Sequence, residues 1–151
     1  MIISFNGSSI HKVDSKNRVS VPADFRKWEN DGDKYTFVAT VAPDPCLNIF
    51  PAKEWDDLIE QIVSNLSMFN KKHSAYLRAY TKDASRLTCD KQGRITIPKR
   101  LREYANIADK VKFIGMGNRI ELWDIDTYSD HSASHLSPDD DYFDGLDELI
   151  E

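Results

Sequence analysis

Cysteine is scarce in this chain, which has only Cys46 and Cys89 among its 151 residues. Two cysteines are too few for a disulfide framework, and their spacing does not match the CxxC pairs of a zinc knuckle. Free cysteine is most often a small buried hydrophobe. We therefore expect both thiols to lie in the core.

Long apolar runs are also missing. No run approaches the roughly 20 residues that a bilayer span requires. The N-terminal residues MIISFNGSSIHK lack the charged segment and long apolar stretch of a leader peptide. We expect a cytoplasmic protein with no membrane partner. Its 40% content of apolar residues is enough to bury one substantial core, or two small cores that share an interface.

Motifs for catalysis or cofactor binding are weak. Residues Gly115 to Asn118 faintly resemble a phosphate loop, but they lack the GxxxxGK[ST] pattern and no long helix follows them. His131 and His135 stand four residues apart near Asp130, a spacing that a metal could use, yet no second carboxylate ligand is in register. We predict a protein that is not an enzyme and that has no cofactor, no metal and no catalytic residue.

Charge is unevenly distributed along the chain. The net charge is −5, but residues 137–151 alone carry seven acidic side chains and no Lys or Arg. Residues 1–136 hold 20 basic and 18 acidic residues, a balance of +2. A near-neutral body can present a basic face where its cations cluster, so the acidic total does not exclude a nucleic-acid partner.

The cations cluster in an internal repeat. Residues 14–26, DSKNRVSVPADFR, match residues 90–102, DKQGRITIPKRLR, at an offset of 76. Both copies have Asp at the first place, Arg at the fifth, Pro at the ninth and Arg at the last. A second pair of blocks follows in the same order at an offset of 73, LNIFPAKEW at 47–55 and IELWDIDTY at 120–128. Two matched blocks in one order indicate two copies of one structural unit.

Each copy begins with a polar turn that leads into alternating β-branched residues. Asn17 and Gly93 are suited to a left-handed backbone in that turn. The alternation predicts a short strand with one buried face, which Pro22 or Pro98 ends before a short helix. The remaining elements predicted for the units are helices at 23–28 and 99–104 and strands at 35–41, 47–50, 111–115 and 119–123.

Two amphipathic helices are predicted between the units. Apolar residues recur at helical spacing from Pro51 to Leu66 and again from Ser74 to Tyr80. We expect their apolar faces to pack in the core or at an interface. In particular, Trp55, Leu58 and Ile62 are expected to help subunits close into a ring beside the open edges of short sheets.

The pattern decays after Tyr128. Residues 137–151 are too polar for a core segment, and we expect a mobile tail with a weak terminal helix. The chain is therefore divided into a first unit at 7–54, connecting helices at 55–83, a second unit at 84–127 and an acidic tail at 128–151.

The paired motifs resemble a known family. The twofold Asp-x-x-x-Arg-x-x-x-Pro-x-x-x-Arg pattern, the CLNIFPAKEW block and the GNRIELWD block are similar to those of MraZ, a bacterial transcriptional regulator built from two SpoVT-AbrB-type units. The resemblance covers about Phe5 to Tyr128. It implies an α+β fold of tandem, pseudo-twofold, β-rich swapped-hairpin units of the AbrB-like, double-split barrel type, joined by connecting helices.

The resemblance also implies a function. It is that of a sequence-specific DNA-binding regulator, associated with the nucleoid, which assembles into a ring-like homo-oligomer. The ring would bind direct repeats in promoter double-stranded DNA and repress its own division and cell-wall gene cluster. The DNA-binding residues carried over are Lys16, Arg18 and Arg94. Arg presents a fork of donors that suits guanine or a phosphate. Asn17 stands where the family usually has Gly, so the two loops need not be equivalent.

Three alternatives stay open. Each loop arginine could instead form a salt bridge with Asp14 or Asp90. The protein could be a non-enzymatic, ring-forming adaptor that binds other proteins, with the acidic tail as its docking element. The tail itself either keeps the oligomer soluble or competes with DNA near the loop arginines, its carboxylates standing in for phosphates.

Overall fold

The computed structural model describes residues 4–26, 35–135 and 142–150. The strands within these ranges are β1 Ser8–Lys12, β2 Arg18–Ser20, β3 Thr36–Val41, β4 Leu47–Pro51, β5 Ser85–Thr88, β6 Arg94–Thr96, β7 Lys110–Gly115 and β8 Ile120–Asp124. The helices are α1 Ala23–Arg26, α2 Ala52–Ser64, α3 Lys71–Thr81, α4 Lys99–Tyr104, α5 Ile125–His135 and α6 Tyr142–Ile150. The mixture of antiparallel strands and helices confirms the α+β class.

The two sequence repeats share one sheet. Six strands form an antiparallel sheet in the order β1-β7-β8-β4-β3-β5, and β2 pairs with β6 in a separate two-stranded ribbon. Strand β1 of the first unit pairs with β7 of the second, whereas β5 of the second unit pairs with β3 of the first. Each unit therefore donates its first strand to the hairpin of the other unit.

The strand register defines a pseudo-twofold axis. Interchanging the two units leaves the sheet order unchanged. In the large sheet Asn48 lies opposite Glu121, and these two residues are equivalent at the offset of 73. In the ribbon Val19 lies opposite Ile95, and these are equivalent at the offset of 76. The axis passes through both pairs, so the repeat in the sequence is also a repeat in space.

The main core lies between the large sheet and a second layer made of the ribbon with α1 and α4. Strand residues alternate between the two faces of a sheet, and one face of β3, β4, β7 and β8 is apolar and turned toward this layer. Full burial of a large apolar side chain contributes about 1.5–3 kcal/mol. Side chains with at most 1% exposure in this core include Val19, Phe37, Leu47, Ile95, Ile97, Leu101, Phe113, Ile120 and Leu122.

Helices cover the opposite face of the large sheet. Trp55 of α2 packs against Phe50 with ring centroids 5.5 Å apart, and it stacks on Tyr80 of α3 at 5.3 Å. Tyr128 of α5 packs against Trp123 at 5.3 Å. The pairs Phe50–Trp55 and Trp123–Tyr128 are 73 residues apart, so α5 is the second-unit counterpart of α2.

The predictions of short helices within the units and of a terminal helix agree with the structure, whereas one helix after the second unit was missed. The helix predicted at 99–104 is confirmed, and α1 agrees with the prediction at 23–28 as far as Arg26, beyond which residues 27 and 28 lie outside the described residues. The expected decay after Tyr128 is wrong, because α5 continues to His135. The weak terminal helix is present as α6, whereas residues 137–141 of the predicted mobile tail lie outside the described residues.

The two connecting helices are present, but their first and last residues differ from the predicted ones. Pro51 is the N-cap of α2 and the last residue of β4, so the helix starts one residue after the predicted position. Helix α3 begins three residues before the predicted Ser74, where the Asn70 side chain accepts hydrogen bonds from two backbone N–H groups. Strands β1 and β5 were not predicted, and the bounds proposed for the two units stay a prediction.

Three smaller expectations concern single features. Cys46 and Cys89 are both buried, as predicted; burial raises the pKa of both thiols, that of Cys89 to about 11. Residues Gly115 to Asn118 connect β7 and β8 as a hairpin, with Gly117 at a φ of 76°, and are not a strand-to-helix loop. Among the helices that the structure describes, none combines the length and apolar character needed to cross a bilayer.

Replacing Trp55 with alanine should lower the free energy of unfolding by about 3–5 kcal/mol, because the substitution leaves a cavity between α2, α3 and the sheet. Urea unfolding followed by far-ultraviolet circular dichroism measures the change. The matched control is Tyr76→Ala on α3, where the side chain is 64% exposed and a change within about 0.5 kcal/mol is expected. Equal losses in the two variants would contradict this packing role.

Candidate nucleic-acid interface

The first motif loop, residues 14–18, is closed by its aspartate. Oδ1 of Asp14 accepts hydrogen bonds from the backbone N–H groups of Lys16 at 2.9 Å and Arg18 at 2.8 Å. The N–H of Asn17 donates to the Asp14 carbonyl at 3.0 Å, with Asn17 left-handed at a φ of 61°. The hydrogen bond from the Arg18 backbone is the largest cause that holds the pKa of Asp14 below its ordinary value. Asp14 is thus a fixed, ionised acceptor at neutral pH.

The second motif loop, residues 90–94, repeats this geometry. Oδ1 of Asp90 accepts from the backbone N–H groups of Gln92 and Arg94, both at 2.9 Å. Gly93 is left-handed at a φ of 78°, and its N–H donates to the Asp90 carbonyl at 3.0 Å. The pKa of Asp90 is also held low, first of all by the hydrogen bond from the Arg94 backbone. The left-handed backbone predicted for both loops is therefore confirmed.

Each loop arginine is held by the aspartate of its own loop. Nε of Arg18 donates to Oδ2 of Asp14 at 2.8 Å, and Nε of Arg94 donates to Oδ2 of Asp90 at 2.8 Å. Arg94 also reaches across the axis, with its Nη1 3.9 Å from Oδ2 of Asp14. The salt bridges considered as an alternative to DNA contact are thus present. They do not exclude it, because each guanidinium has five N–H donors and the two arginine side chains are 29% and 26% exposed.

The two arginines share the outward face of the ribbon. The central residue of each ribbon strand is buried in the core, so the residues on either side of it point away from the core. Arg18 lies opposite Thr96, and Ser20 lies opposite Arg94. Ser20 and Thr96 are exposed. We call these four residues the ribbon face; it presents two guanidinium groups and two hydroxyls around the pseudo-twofold axis.

A second arginine of the first motif supports the loop of the other unit. Nε of Arg26 donates to the carbonyl of Val21 at 3.0 Å, and the N–H of Val21 donates to the carbonyl of Gly93 at 3.0 Å. A Cβ atom on Gly93 would lie only 2.7 Å from Cζ of Arg26. The guanidinium of Arg26 therefore packs directly against the second loop, and a side chain at position 93 would displace it.

The second motif makes the equivalent hydrogen bonds. Nε of Arg102 donates to the carbonyl of Ile97 at 3.0 Å, and the N–H of Ile97 donates to the carbonyl of Asn17 at 3.0 Å. Arg26 and Arg102 are the last residues of the two repeated motifs, and no role was predicted for them. Their recurrence at the same place in both motifs indicated a shared structural role, because equivalent positions in two copies of one unit make equivalent contacts.

Exposed lysines flank the ribbon face at positions that are not equivalent. Lys16 is exposed at the third place of the first loop, where the second loop has Gln92. Lys91 is exposed at the second place of its loop, where the first loop has Ser15. The structure thus places all three predicted DNA-binding residues in the two loops beside the ribbon, and it adds Lys91, Ser20 and Thr96 to the same surface.

The histidine pair considered as a metal site lies in α5, away from these loops. His131 is hydrogen-bonded to Asp44, with Nε2 3.3 Å from Oδ1, and its ring packs on Trp123. Within the part of the chain that the structure describes, no group of three or more His, Cys, Asp or Glu residues is placed to hold a metal ion.

The contact between Arg26 and Gly93 can be tested by a pair of substitutions. Gly93→Ala should lower the free energy of unfolding by about 2 kcal/mol, because alanine disfavours a left-handed backbone by roughly 1–2 kcal/mol and its Cβ displaces the Arg26 guanidinium. Asn17→Gly at the equivalent position should change it by less than about 1 kcal/mol, since glycine adopts this backbone freely. Chemical denaturation measures both. Gly93→Asn isolates the contact with Arg26, because asparagine tolerates the left-handed backbone, as Asn17 does in the first loop. An unchanged free energy of unfolding in Gly93→Asn would show that Arg26 does not restrict Gly93.

Comparisons with known proteins agree with the two-unit architecture. Residues 4–79 and 81–141 match, one after the other, the family model for the MraZ protein, which is described as antitoxin-like. The transcriptional regulator MraZ of Halothermothrix orenii is 44% identical over 119 residues, which cover 79% of this chain and 80% of the relative. The proteins of the same name from Clostridium tetani and Finegoldia magna are each 36% identical, over 132 residues (87% and 89% of the two chains) and 145 residues (96% and 98%). With a family match over both repeats and relatives this similar along most of their length, the chain belongs to the MraZ family of transcriptional regulators.

Proposed function

We propose that this protein is a sequence-specific regulator, without enzymatic activity, that binds double-stranded DNA through the ribbon face and its two flanking loops. The observation that carries the proposal is the pairing of Arg18 and Arg94 on one outward face, each fixed in direction by an aspartate. The names of the relatives, all transcriptional regulators, support DNA as the partner.

The geometry of the ribbon face suits a DNA groove. A two-stranded β-ribbon fits the major groove, which is about 12 Å wide. Because Nε of each arginine is occupied by aspartate, its terminal amino groups remain to pair with the acceptor edge of guanine or with phosphate oxygens. The aspartate also orders the side chain before DNA arrives, which reduces the conformational entropy lost on binding. Ser20 and Thr96 add one hydroxyl group opposite each arginine.

Local charge favours the same surface. The two motif segments, residues 14–26 and 90–102, together carry eight Lys or Arg and three Asp, in a chain whose net charge is −5. A basic surface of this kind attracts the phosphate backbone and makes affinity depend strongly on salt. The negative net charge of the chain is therefore compatible with DNA binding, because the seven acidic residues of the tail outweigh a balance of +2 in residues 1–136.

A further part of the proposal concerns how the subunits assemble and which DNA they bind. We propose a ring-like homo-oligomer in which several ribbon faces engage short direct repeats in promoter DNA, so that the protein represses its own division and cell-wall gene cluster. Among the described residues, β1 and β5 are the edge strands of the large sheet, and edge strands favour pairing with another chain. A closed ring would set the loops at fixed intervals, which matches repeated sites.

The apolar face of α2, which was expected to form contacts between subunits in the ring, is partly buried within its own subunit. Trp55 is only 7% exposed, and its ring is enclosed by Phe50 and Tyr80 of the same subunit. Leu58 also packs against this cluster. The expectation that Trp55 forms a subunit contact is therefore wrong, because the sheet already covers this part of α2.

Removing the ribbon-face arginines should weaken DNA binding. Arg18→Ala and Arg94→Ala should each cost roughly 1–3 kcal/mol per engaged subunit, and the double variant should lose more because several subunits act together. The measurement is binding to the DNA upstream of the protein's own gene, and to scrambled DNA, at one stated salt concentration.

The control for this experiment is Arg86→Ala. Arg86 is an exposed arginine that pairs with Asp56 of α2, on the face of the large sheet that turns away from the ribbon. The Arg86→Ala variant should leave binding to the upstream DNA unchanged. Parent-like binding by the double ribbon variant would reject the ribbon face as the DNA interface. Equal binding of the parent protein to upstream and scrambled DNA would favour the adaptor alternative. A comparable loss in Arg86→Ala would show that only overall charge matters.

Assembly is tested separately by light scattering. The protein should form a stable species several times the subunit mass of 17.3 kDa at micromolar concentration, because its edge strands β1 and β5 offer backbone groups that can pair with another copy. A stable monomer under these conditions would reject the ring and leave the DNA proposal standing.

A further inference from the structure

The turn between α2 and α3 exposes an unusual amount of apolar surface. Met68 is 82% exposed and Phe69 is 91% exposed, and Val63 and Tyr76 on the adjoining helices are 49% and 64% exposed. A groove of about 150 Å³ lies between the two helices, lined in part by Val63 and Met68. We call Val63, Met68 and Phe69 the helix tip. Grouped exposed side chains of this size are typical of a contact surface.

The helix tip is basic as well as apolar. Residues 62–75 contain two lysines, Lys71 and Lys72, and no acidic residue. Both lysines are exposed at the start of α3, next to Phe69. A partner for this surface should therefore combine apolar side chains with negative charge.

Helix α6 of the same chain has these properties. Leu146, Leu149 and Ile150 are 48%, 80% and 78% exposed. Their spacing of three and four residues places them on one side of the helix. The helix also carries three acidic residues, among them Asp147 and Glu148, and no Lys or Arg. It is a short acidic helix whose Leu146, Leu149 and Ile150 side chains lie open to solvent.

We propose that α6 of one copy docks on the helix tip of a second copy. Leu149 and its apolar neighbours would cover Met68 and Phe69, and the acidic side chains would face Lys71 and Lys72. An amphipathic helix laid into an apolar groove is a common mode of recognition. The inference does not rest on DNA binding, and it assigns the tail a role other than competition with DNA.

The exposure of both surfaces points to a second copy as the occupant. Within a single chain Phe69 and Leu149 both stay largely exposed, so α6 does not cover its own helix tip. A contact between two different patches, repeated from subunit to subunit, is the kind that closes a ring. Helix α6 has nine residues and is only about 13 Å long, so its contact is small and depends on the high local concentration within an oligomer.

Disulfide trapping tests this contact directly. Both native thiols are buried, so cysteines introduced by Met68→Cys and Leu149→Cys are the reactive ones. Co-expressed copies that each carry one of the two substitutions should form a disulfide-linked dimer under mild oxidation. The control is Ile10→Cys with Leu149→Cys, since Ile10 is 55% exposed on the edge strand β1. The same dimer yield in the control pair, or none in the test pair, would overturn the proposal.

The choice of copy and the charge pairing are tested with further variants. A chain that carries both Met68→Cys and Leu149→Cys should give linked oligomers; a disulfide within the monomer would overturn docking between copies. Lys71→Glu with Lys72→Glu should lower the dimer yield several-fold, and adding Asp147→Lys with Glu148→Lys should restore it. Loss without restoration would contradict the charge pairing. Because no DNA is used, these outcomes are independent of the proposed DNA interface.

Discussion

The exchange of strands between the two repeated units is the constraint on which the rest of the structure depends. Strand β1 completes the hairpin of the second unit, β5 completes that of the first, and β2 pairs with β6. A strand added to a sheet must satisfy its backbone N–H and C=O groups against its neighbour, so neither unit closes its sheet without the other. The pseudo-twofold arrangement of the two loops is a direct result of this pairing.

The two loops show how that constraint builds the proposed DNA-binding surface. Hydrogen bonds from Val21 to Gly93 and from Ile97 to Asn17 tie the end of each ribbon strand to the loop of the other unit. Asp14 and Asp90 then fix the backbone with one carboxylate oxygen and the arginine with the other. Position and direction of each guanidinium are therefore set before any partner binds, which is the arrangement that recognition of a rigid duplex favours.

The two sides of the large sheet have different chemistry. The side that carries the ribbon ends in a polar, basic surface with arginines and hydroxyls. The other side is covered by α2, α3 and α5 and ends in the apolar helix tip. An amphipathic acidic helix at the end of the chain complements that tip in both polarity and charge. One subunit thus separates a surface suited to phosphate and bases from a surface suited to another protein chain.

Much of this protein was determined by local sequence alone. The repeat of Asp, Arg, Pro and Arg predicted two equivalent units, the left-handed turns at Asn17 and Gly93, the short helix α4 and the loop arginines. Those features depend on residues that are close together in the sequence, so the local order of residue types is enough to predict them. The offset of 73 would also have found α5, since it maps the first residue of α2 onto Ile125, but the polar composition after Tyr128 hid the helical pattern.

Only the tertiary structure decided which residues contact one another across the pseudo-twofold axis. No local pattern distinguishes β1 packed on its own unit from β1 packed on the other, because the side-chain alternation is the same in both cases. The support of Gly93 by Arg26, the outward pairing of Ser20 with Arg94 and the burial of Trp55 all depend on that choice. They arise from contacts between residues far apart in the chain, and such contacts are selected by the packing of the whole core rather than by the preferences of any segment.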